Sequence, residues 1–454
     1  MQLNETANAD ARDEALALAA FAVAAAVDGG ATAAEATLAI NDRFGAEARG
    51  GELTKLEQSR GRSLSMRTFV GKRRASLSTT DLTHDGIRAL AKRIVAAAAF
   101  VSEDPHAGLP DTVTPAQEDA ALEMLSPDVA AREPEAKIDD VIELERLIRQ
   151  ADARIDNSRG SHAGDTQATV ALVNSLGFRG AYRMTSASRS TSPIARDGDD
   201  LRIGSYGSAA RGYAGLESVA DVARQAAKRA LDLCGARRPG TLRVPVIFER
   251  DVAAAVLSDL FNAVNAANIA VGNSYLTDAI GETVGSAHVT IVDDGRLPGG
   301  LGTSPFDAEG TPTRMTTVFE RGVLKSFLYD TYYARRLGAQ TTGNASGGGI
   351  GVNNFYLYSG DHTLDELIAA TSRGVLVYDT IGFATEHASG TYSRGARGVW
   401  IENGEIAYPV DGFTIASNFK AMLAGIDMVA NDVRFDSGIV SPSFRVTEMT
   451  ISGD

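Results

Sequence analysis

Six histidines are spread along this chain (His84, His106, His162, His288, His362 and His387), and no two lie three to five residues apart. A zinc site on a helix needs imidazoles about one turn apart, with a carboxylate to activate the bound water. That spacing is absent, so no metal ligands are assigned in this chain. Glu386-His387 falls beside the loop Ala388-Ser389-Gly390, and Glu282 and His288 are six apart, too far for one helix face. Each histidine is expected to be an ordinary surface or core residue. Cys234 is the only cysteine, which rules out an intrachain disulfide and fits a reducing compartment. It follows a helical run at 226–233 and is expected to be a small core residue.

Other chemistries leave weaker traces. No G-x-S-x-G occurs, and Gly272-Asn273-Ser274 lacks the closing glycine, so no catalytic nucleophile is assigned. The run Gly343-Asn344-Ala345-Ser346-Gly347-Gly348-Gly349-Ile350-Gly351 does not fit G-x-G-x-x-G, and no Gly-Lys-Ser/Thr follows it. It reads as a flexible glycine loop near a binding groove, where missing side chains let backbone approach a ligand. Asn344, Ser346, Gly347, Gly348 and Gly349 are its candidate peptide-binding residues. Asp293-Asp294 and Asp307-Ala308-Glu309-Gly310 flank a loop rich in Gly and Pro. Such acids bind a hard cation, act as acid and base, or accept backbone N–H bonds in turns, and turn chemistry is the favoured reading. Lys55, Arg60, Arg62, Arg67, Lys72, Arg73 and Arg74 stand against one acid, Glu57, between positions 53 and 80. They would hold a peptide carboxylate, face an acidic partner, or form a solvated hairpin face.

The elements that must position these groups divide the chain in two. Residues 1–235 are expected to form an α/β domain of helices on mostly antiparallel sheet, and 236–454 a β-rich domain, an α+β protein. In the first, helices are predicted at 13–27, from a cap at Thr83 or Asp85, at 138–155 and at 216–233. Strands are predicted at 36–41, 53–59, 168–176 and 180–188, with a hairpin from 63–70 through Gly71 to 75–79. Three prolines in 104–118 mark a linker or surface loop. In the second, a strand at 242–248 and a helix at 252–266 precede short β-like runs, with further helices at 364–372 and 418–430. Asn403-Gly404 sits between alternating residues, a strong hairpin signal.

Composition agrees with a globular cytoplasmic protein. Apolar residues make up 44%, aromatics 6%, and glycine is abundant at 46 residues. Lys plus Arg is 44 against Asp plus Glu 58, a net charge of −14, which disfavours broad contact with DNA or anionic lipid. The apolar run at 15–27 is too short to span a bilayer. It follows Glu5, Asp10, Asp13 and Glu14 rather than the basic start of a signal peptide.

Several runs, in order, resemble the TldD/PmbA family, also called modulators of DNA gyrase. They are Asp293-Asp294, Ser-Pro-Phe-Asp-Ala-Glu-Gly-Thr-Pro-Thr-Arg at 304–314, Gly-Val-Leu-Lys-Ser-Phe-Leu at 322–328 and Tyr-Ala-Arg-Arg-Leu-Gly at 333–338. Thr-Gly-Asn-Ala at 342–345 and the run at 398–410 around Trp400 complete the set, and 76–82 and Asp104-Pro105 before Leu109-Pro110 extend it across nearly the whole chain. One branch of the family carries a His-Glu-x-x-x-His zinc helix and a late Cys ligand. Here 256–264 lies where that helix would fall and offers Ser258, Asp259 and Asn262 but no imidazole, and no Cys follows Cys234. The resemblance therefore implies the metal-free PmbA/TldE branch. That branch is a non-catalytic subunit, without cofactor of its own, pairing with a zinc-bearing TldD-like paralogue in a cytoplasmic peptidase for unfolded and small peptides. Other readings are a stand-alone homodimer that binds peptides or proteins, and an enzyme with a hydroxyl or carboxylate site that motifs do not reveal. Nucleic acid and membrane are not expected as partners.

Overall fold

The apolar run at 15–27 is the core of a long helix, α1 (Gln2–Asp28). Ala15, Ala19, Ala22, Val23 and Ala26 recur on one face and are buried, and their small side chains let the helix lie close to a sheet. The computed structural model describes residues 2–115, 120–382 and 385–453. Residues 116–118 of the expected linker lie outside the described residues. The sheet under α1 is built from β1 (Ala33–Arg49), β2 (Glu52–Val70), β3 (Arg73–Thr79), β4 (Ile155–Asn174), β5 (Arg179–Asp197), β6 (Asp200–Ile203) and β7 (Tyr206–Ala210). Its order is β3-β2-β1-β4-β5-β6, with β7 on β5, and every pairing is antiparallel.

One face of this sheet carries the helices. α2 (His84–Ala98) is capped by Thr83, whose side chain accepts from Gly86 N, and it joins α1 over Ala34, Ala36, Leu38, Leu64 and Met66. After a short turn, α3 (Asp128–Ala131), come α4 (Pro134–Ala151) and α5 (Val219–Leu231). Val141 of α4 packs on Phe44, Ala46 and Ala163, while Leu144 and Ile148 meet Val222 and Ala226 of α5. Strand alternation sends Glu35, Thr37, Leu172, Tyr182 and Met184 to the opposite face.

The second half holds β8 (Leu242–Phe248), α6 (Arg250–Val264), α7 (Ala266–Ala270), β9 (Ile291–Asp294), β10 (Met315–Glu320), β11 (Val323–Leu324) and α8 (Thr331–Leu337). It continues with β12 (Ala345–Ser346), β13 (Gly349–Ile350), β14 (Phe355–Leu357), α9 (Leu364–Ala369), β15 (Arg373–Ile381), β16 (Thr385–Glu386) and β17 (Thr391–Glu402). Last come β18 (Glu405–Asn418), α10 (Phe419–Gly425), β19 (Ile426–Val429), β20 (Ile439–Val440) and β21 (Phe444–Ser452). Strands β15, β8, β21, β18 and β17 pair in a ring, because β17 also pairs with β15. This is a closed barrel. A five-stranded sheet, β11-β10-β9-β14-β20, packs beside it with α6 in the shared core. The protein is α+β. Among the described residues no helix is long and apolar enough to cross a membrane.

Local signals placed the hairpins, while a local turn moved one helix end and strand pairing moved another. The turn between β17 and β18 has Asn403 at φ 55° and Gly404 at φ 80°, the paired positive values an Asn-Gly hairpin needs. The strands predicted at 53–59 and 63–70 are one strand, β2, because β1 pairs with it through Asn41↔Gly61 without a break. The helix predicted to 155 stops at Ala151. Asp152 Oδ1 accepts from Arg154 N at 2.9 Å, a local turn that releases Ile155 into β4. The helix predicted over 418–430 ends at Gly425. Ile426 then pairs with Val446 of β21, and both are buried.

Candidate functional site

The glycine run forms a two-strand hairpin, β12–β13, with Gly347 and Gly348 at its tip. Ser346 Oγ donates to Gly349 O at 3.0 Å across the turn. Ser346 and the three glycines line a cleft of about 1230 Å³ between this hairpin and the open face of the N-terminal sheet. Asn344 does not join them. It is buried, and its Nδ2 donates to Asp293 Oδ2 at 2.6 Å and to Gly351 O at 2.9 Å. Asn344 closes the base of the loop, which is a structural role.

The acidic pairs organise the same loops. Asp293 is fully buried and accepts from Asn344 Nδ2, from Asn353 N at 2.8 Å and from Asn353 Nδ2 at 2.9 Å. Burial pushes its carboxyl up to about 6 against those three donors. Asp307 accepts from the backbone N–H of Glu309, Thr311 and Ala345. Burial, then the nearby Glu309 charge, push it up to about 7. Asp294 Oδ1 accepts from Arg296 N. Asp294 and Asp307 thus make turn bonds, while Asp293 ties together segments 51 and 60 residues away.

Of the basic cluster, only Arg67 and Arg74 line the cleft. Arg60, Arg62, Arg73 and Lys55 pair with Asp42, Glu14, Glu103 and the pair Glu47 and Glu57, and Lys72 Nζ donates to Ala107 O. Arg67 Nη2 bridges two carboxylates, Glu35 Oε1 at 2.7 Å and Glu309 Oε1 at 3.1 Å. Glu309 Oε2 accepts from Thr331 N at 3.0 Å, and Asp330 caps α8 by accepting from Tyr333 N. Burial raises the pKa of Glu35 more than Arg67 lowers it. Burial opposes the Arg67 charge too, yet Glu35 and Glu309 outweigh it and hold the guanidinium above its usual range. Arg67 answers two carboxylates, whereas Glu35 shares one guanidinium. Arg74 is exposed, with its guanidinium carbon 5.9 Å from the Tyr332 ring centroid. Glu35, Asp330 and Tyr332 carry no motif. The one sequence signal for this face is the polar alternation Glu35, Thr37, Asn41, Arg43 along β1.

The strand edge nearest this cleft belongs to β3, whose Arg74, Ser76 and Ser78 line it and which ends the N-terminal sheet. The barrel strands of the second half pair on both sides.

Helix α6 supplies the other test of chemistry. Asp259 accepts from Arg394 Nη2 at 2.7 Å and from Thr385 Oγ1 at 2.9 Å. Asn262 Nδ2 donates to Ser258 O. Among the described residues no group of three or more His, Cys, Asp or Glu is placed to hold a metal ion. A zinc ion takes three or four such donors, so the residues of α6 do not fit one. Ser274 Oγ is bonded to Ala263 O and Leu276 N. Cys234 is half-buried beside Ala230, and burial raises its pKa.

Three domain families match in order: PmbA/TldA metallopeptidase domain 1 over 34–98, the central domain over 127–233 and the C-terminal domain over 241–453. The metalloprotease PmbA of Escherichia coli O157:H7 is 30% identical over 420 residues, covering 92% of each chain. The chain belongs to the PmbA/TldD family. A metalloprotease TldD homolog of Buchnera aphidicola is 29% identical over 203 residues, 40% of this chain and 42% of that one. The crystal structure of a putative modulator of DNA gyrase from Bacteroides thetaiotaomicron superposes with a TM-score of 0.90 at 25% identity, covering 97% of this chain and 99% of that one. TldE from Thermococcus kodakarensis gives 0.87 at 20% identity, covering 95% and 99%, a likeness of fold.

Proposed function

We propose that this chain has a protease-related role as the non-catalytic subunit of a two-component zinc metallopeptidase that acts on unfolded and small peptides in the cytoplasm. A zinc-bearing TldD-like paralogue supplies the metal, and this chain supplies substrate-holding surface and assembly. One observation carries the reading. On α6, Asp259 is engaged by Arg394 and Thr385, and among the described residues no set of ligands is gathered around it. A subunit of this kind orients a peptide and excludes water without polarising the bond that breaks.

The cleft supports the peptide half of the proposal. An extended peptide lying along β3 would find unpaired backbone groups, which bind without regard to sequence. The hairpin tip at Gly347 and Gly348 would let its backbone come close. Nucleic acid is not a partner on this reading, because most of the basic cluster is already paired with acids and the net charge is −14.

Size-exclusion chromatography with light scattering tests the assembly. An equimolar mixture with the zinc-bearing relative is expected to elute as one complex containing both chains. Separate elution, with this chain a homodimer, would sink the subunit reading in favour of a stand-alone binding module.

A further inference from the structure

We propose that the cleft holds a protonated amino group of a peptide, its free N-terminus or a lysine side chain, against Glu35, Glu309 and Asp330. The inference rests on the peptide reading above and adds to it the chemistry that is recognised.

Three buried carboxylates converge there, Glu35, Glu309 and Asp330, with one largely buried guanidinium, Arg67, among them. With Arg74 counted as well, which also acts on Glu35 and Asp330, the cleft lining still holds more carboxyl than guanidinium groups. Arg67 reaches Glu35 and Glu309 through a single nitrogen, Nη2. The second observation is independent of that count. Glu35 is only 6% exposed, and its Oε2 has no hydrogen-bond partner. A buried carboxylate oxygen without a donor is costly, and Glu35 lines the cleft. A donor carrying positive charge satisfies both conditions.

The surroundings suit a peptide amine better than a bare cation. A recess of about 290 Å³ adjoins the cleft, sharing Thr37, Ala308, Ala345 and Ser346 with it. Its walls include Leu172, Tyr182, Met184 and Phe306. Thr37 lies two residues beyond Glu35 on the same face of β1, about 7 Å along the strand. An ammonium at Glu35 thus leaves a neighbouring apolar side chain within reach of the recess.

The test measures fluorescence anisotropy of the full chain with unfolded peptides labelled at the C-terminus. One has a free N-terminus and no lysine, a second is the same peptide acetylated, and a third is acetylated but carries one internal lysine. Acetylation is expected to weaken binding at least tenfold. Recovery with the third peptide assigns the site to any primary amine, and no recovery assigns it to the N-terminus. Glu35→Gln should weaken the free-amine peptide at least fivefold and leave the acetylated one unchanged. Ser76→Lys guards against misfolding of that variant, because Ser76 is exposed, faces the cleft and pairs across from Arg67. It should reproduce the loss with the buried cluster intact. Equal binding of free and acetylated peptides would overturn this inference while leaving the peptide reading in place. No binding of any peptide would overturn both.

Discussion

Asp293 and Asp307 show how buried carboxylates can hold a glycine loop in place through the N–H groups that face them. Removing Asp293 by Asp293→Ala leaves three donors facing a buried void. The expected loss is about 3 kcal/mol or more, at roughly 1 kcal/mol or above per orphaned group, read from urea midpoints. Asp307 gives a pH signature. Its folded pKa, about 7, lies above the ordinary carboxylate range, so between about pH 4 and 7 the folded protein holds this proton and the unfolded chain releases it. That contribution to stability is full at the acid end and is lost as pH rises. The deficit of Asp307→Asn relative to wild type should therefore shrink between about pH 4 and 7 in thermal melts. A deficit that grows over that range would contradict the burial argument. The turn role of Asp294 and Asp307 was legible, because Asp followed two to four residues on by a backbone donor is a local pattern, whereas the donors to Asp293 lie 51 and 60 residues away. Glu35 was not legible. Its partner Arg67, and Glu309 that Arg67 also binds, are distant in sequence, and only the sheet register and the C-terminal loops bring the three together.

At the scale of elements, glycine has two distinct uses here. A Cβ at Gly302 would sit 1.8 Å from the carbonyl oxygen of Asn353, whereas one at Gly347 or Gly348 would meet nothing within 4 Å. Gly302→Ala should cost about 3 kcal/mol, at the upper end of overpacking costs. Gly347→Ala should stay within about 0.5 kcal/mol of wild type. Gly347→Trp should fold normally yet change affinity for unfolded peptide severalfold. Unchanged affinity would remove the hairpin tip from the site. Hairpins were the most legible elements, since Asn403-Gly404 and Gly71 encode their turns in adjacent residues. Helix ends were less so. A local Asx bond at Asp152 ended one helix, and pairing with β21 drew residues 426–429 out of another. The barrel closure through β15 and β17 rests on contacts that no window of sequence contains.

Across the whole molecule, the two halves meet through polar as well as apolar contacts. Arg335 bonds Asp111 Oδ1 at 2.6 Å and the carbonyls of His106 and Leu109. Arg202 reaches Asp411 at 2.7 Å, and Phe306 stacks edge-on against Phe178 and Tyr182. The cleft itself is lined by residues of both halves, Glu35 and Arg67 from the first and Glu309 and Asp330 from the second. The central claim is that this chain holds peptide substrates and depends on a partner for the metal that cleaves them. The most direct measurement is hydrolysis of an unfolded peptide by this chain alone, by the zinc-bearing relative alone and by their equimolar mixture, with metal quantified in each sample. The account predicts turnover in the mixture, abolished by chelator, and neither stoichiometric zinc nor turnover in this chain alone. Cleavage by the isolated chain, whether carried by a tightly bound metal or insensitive to chelator, would contradict it.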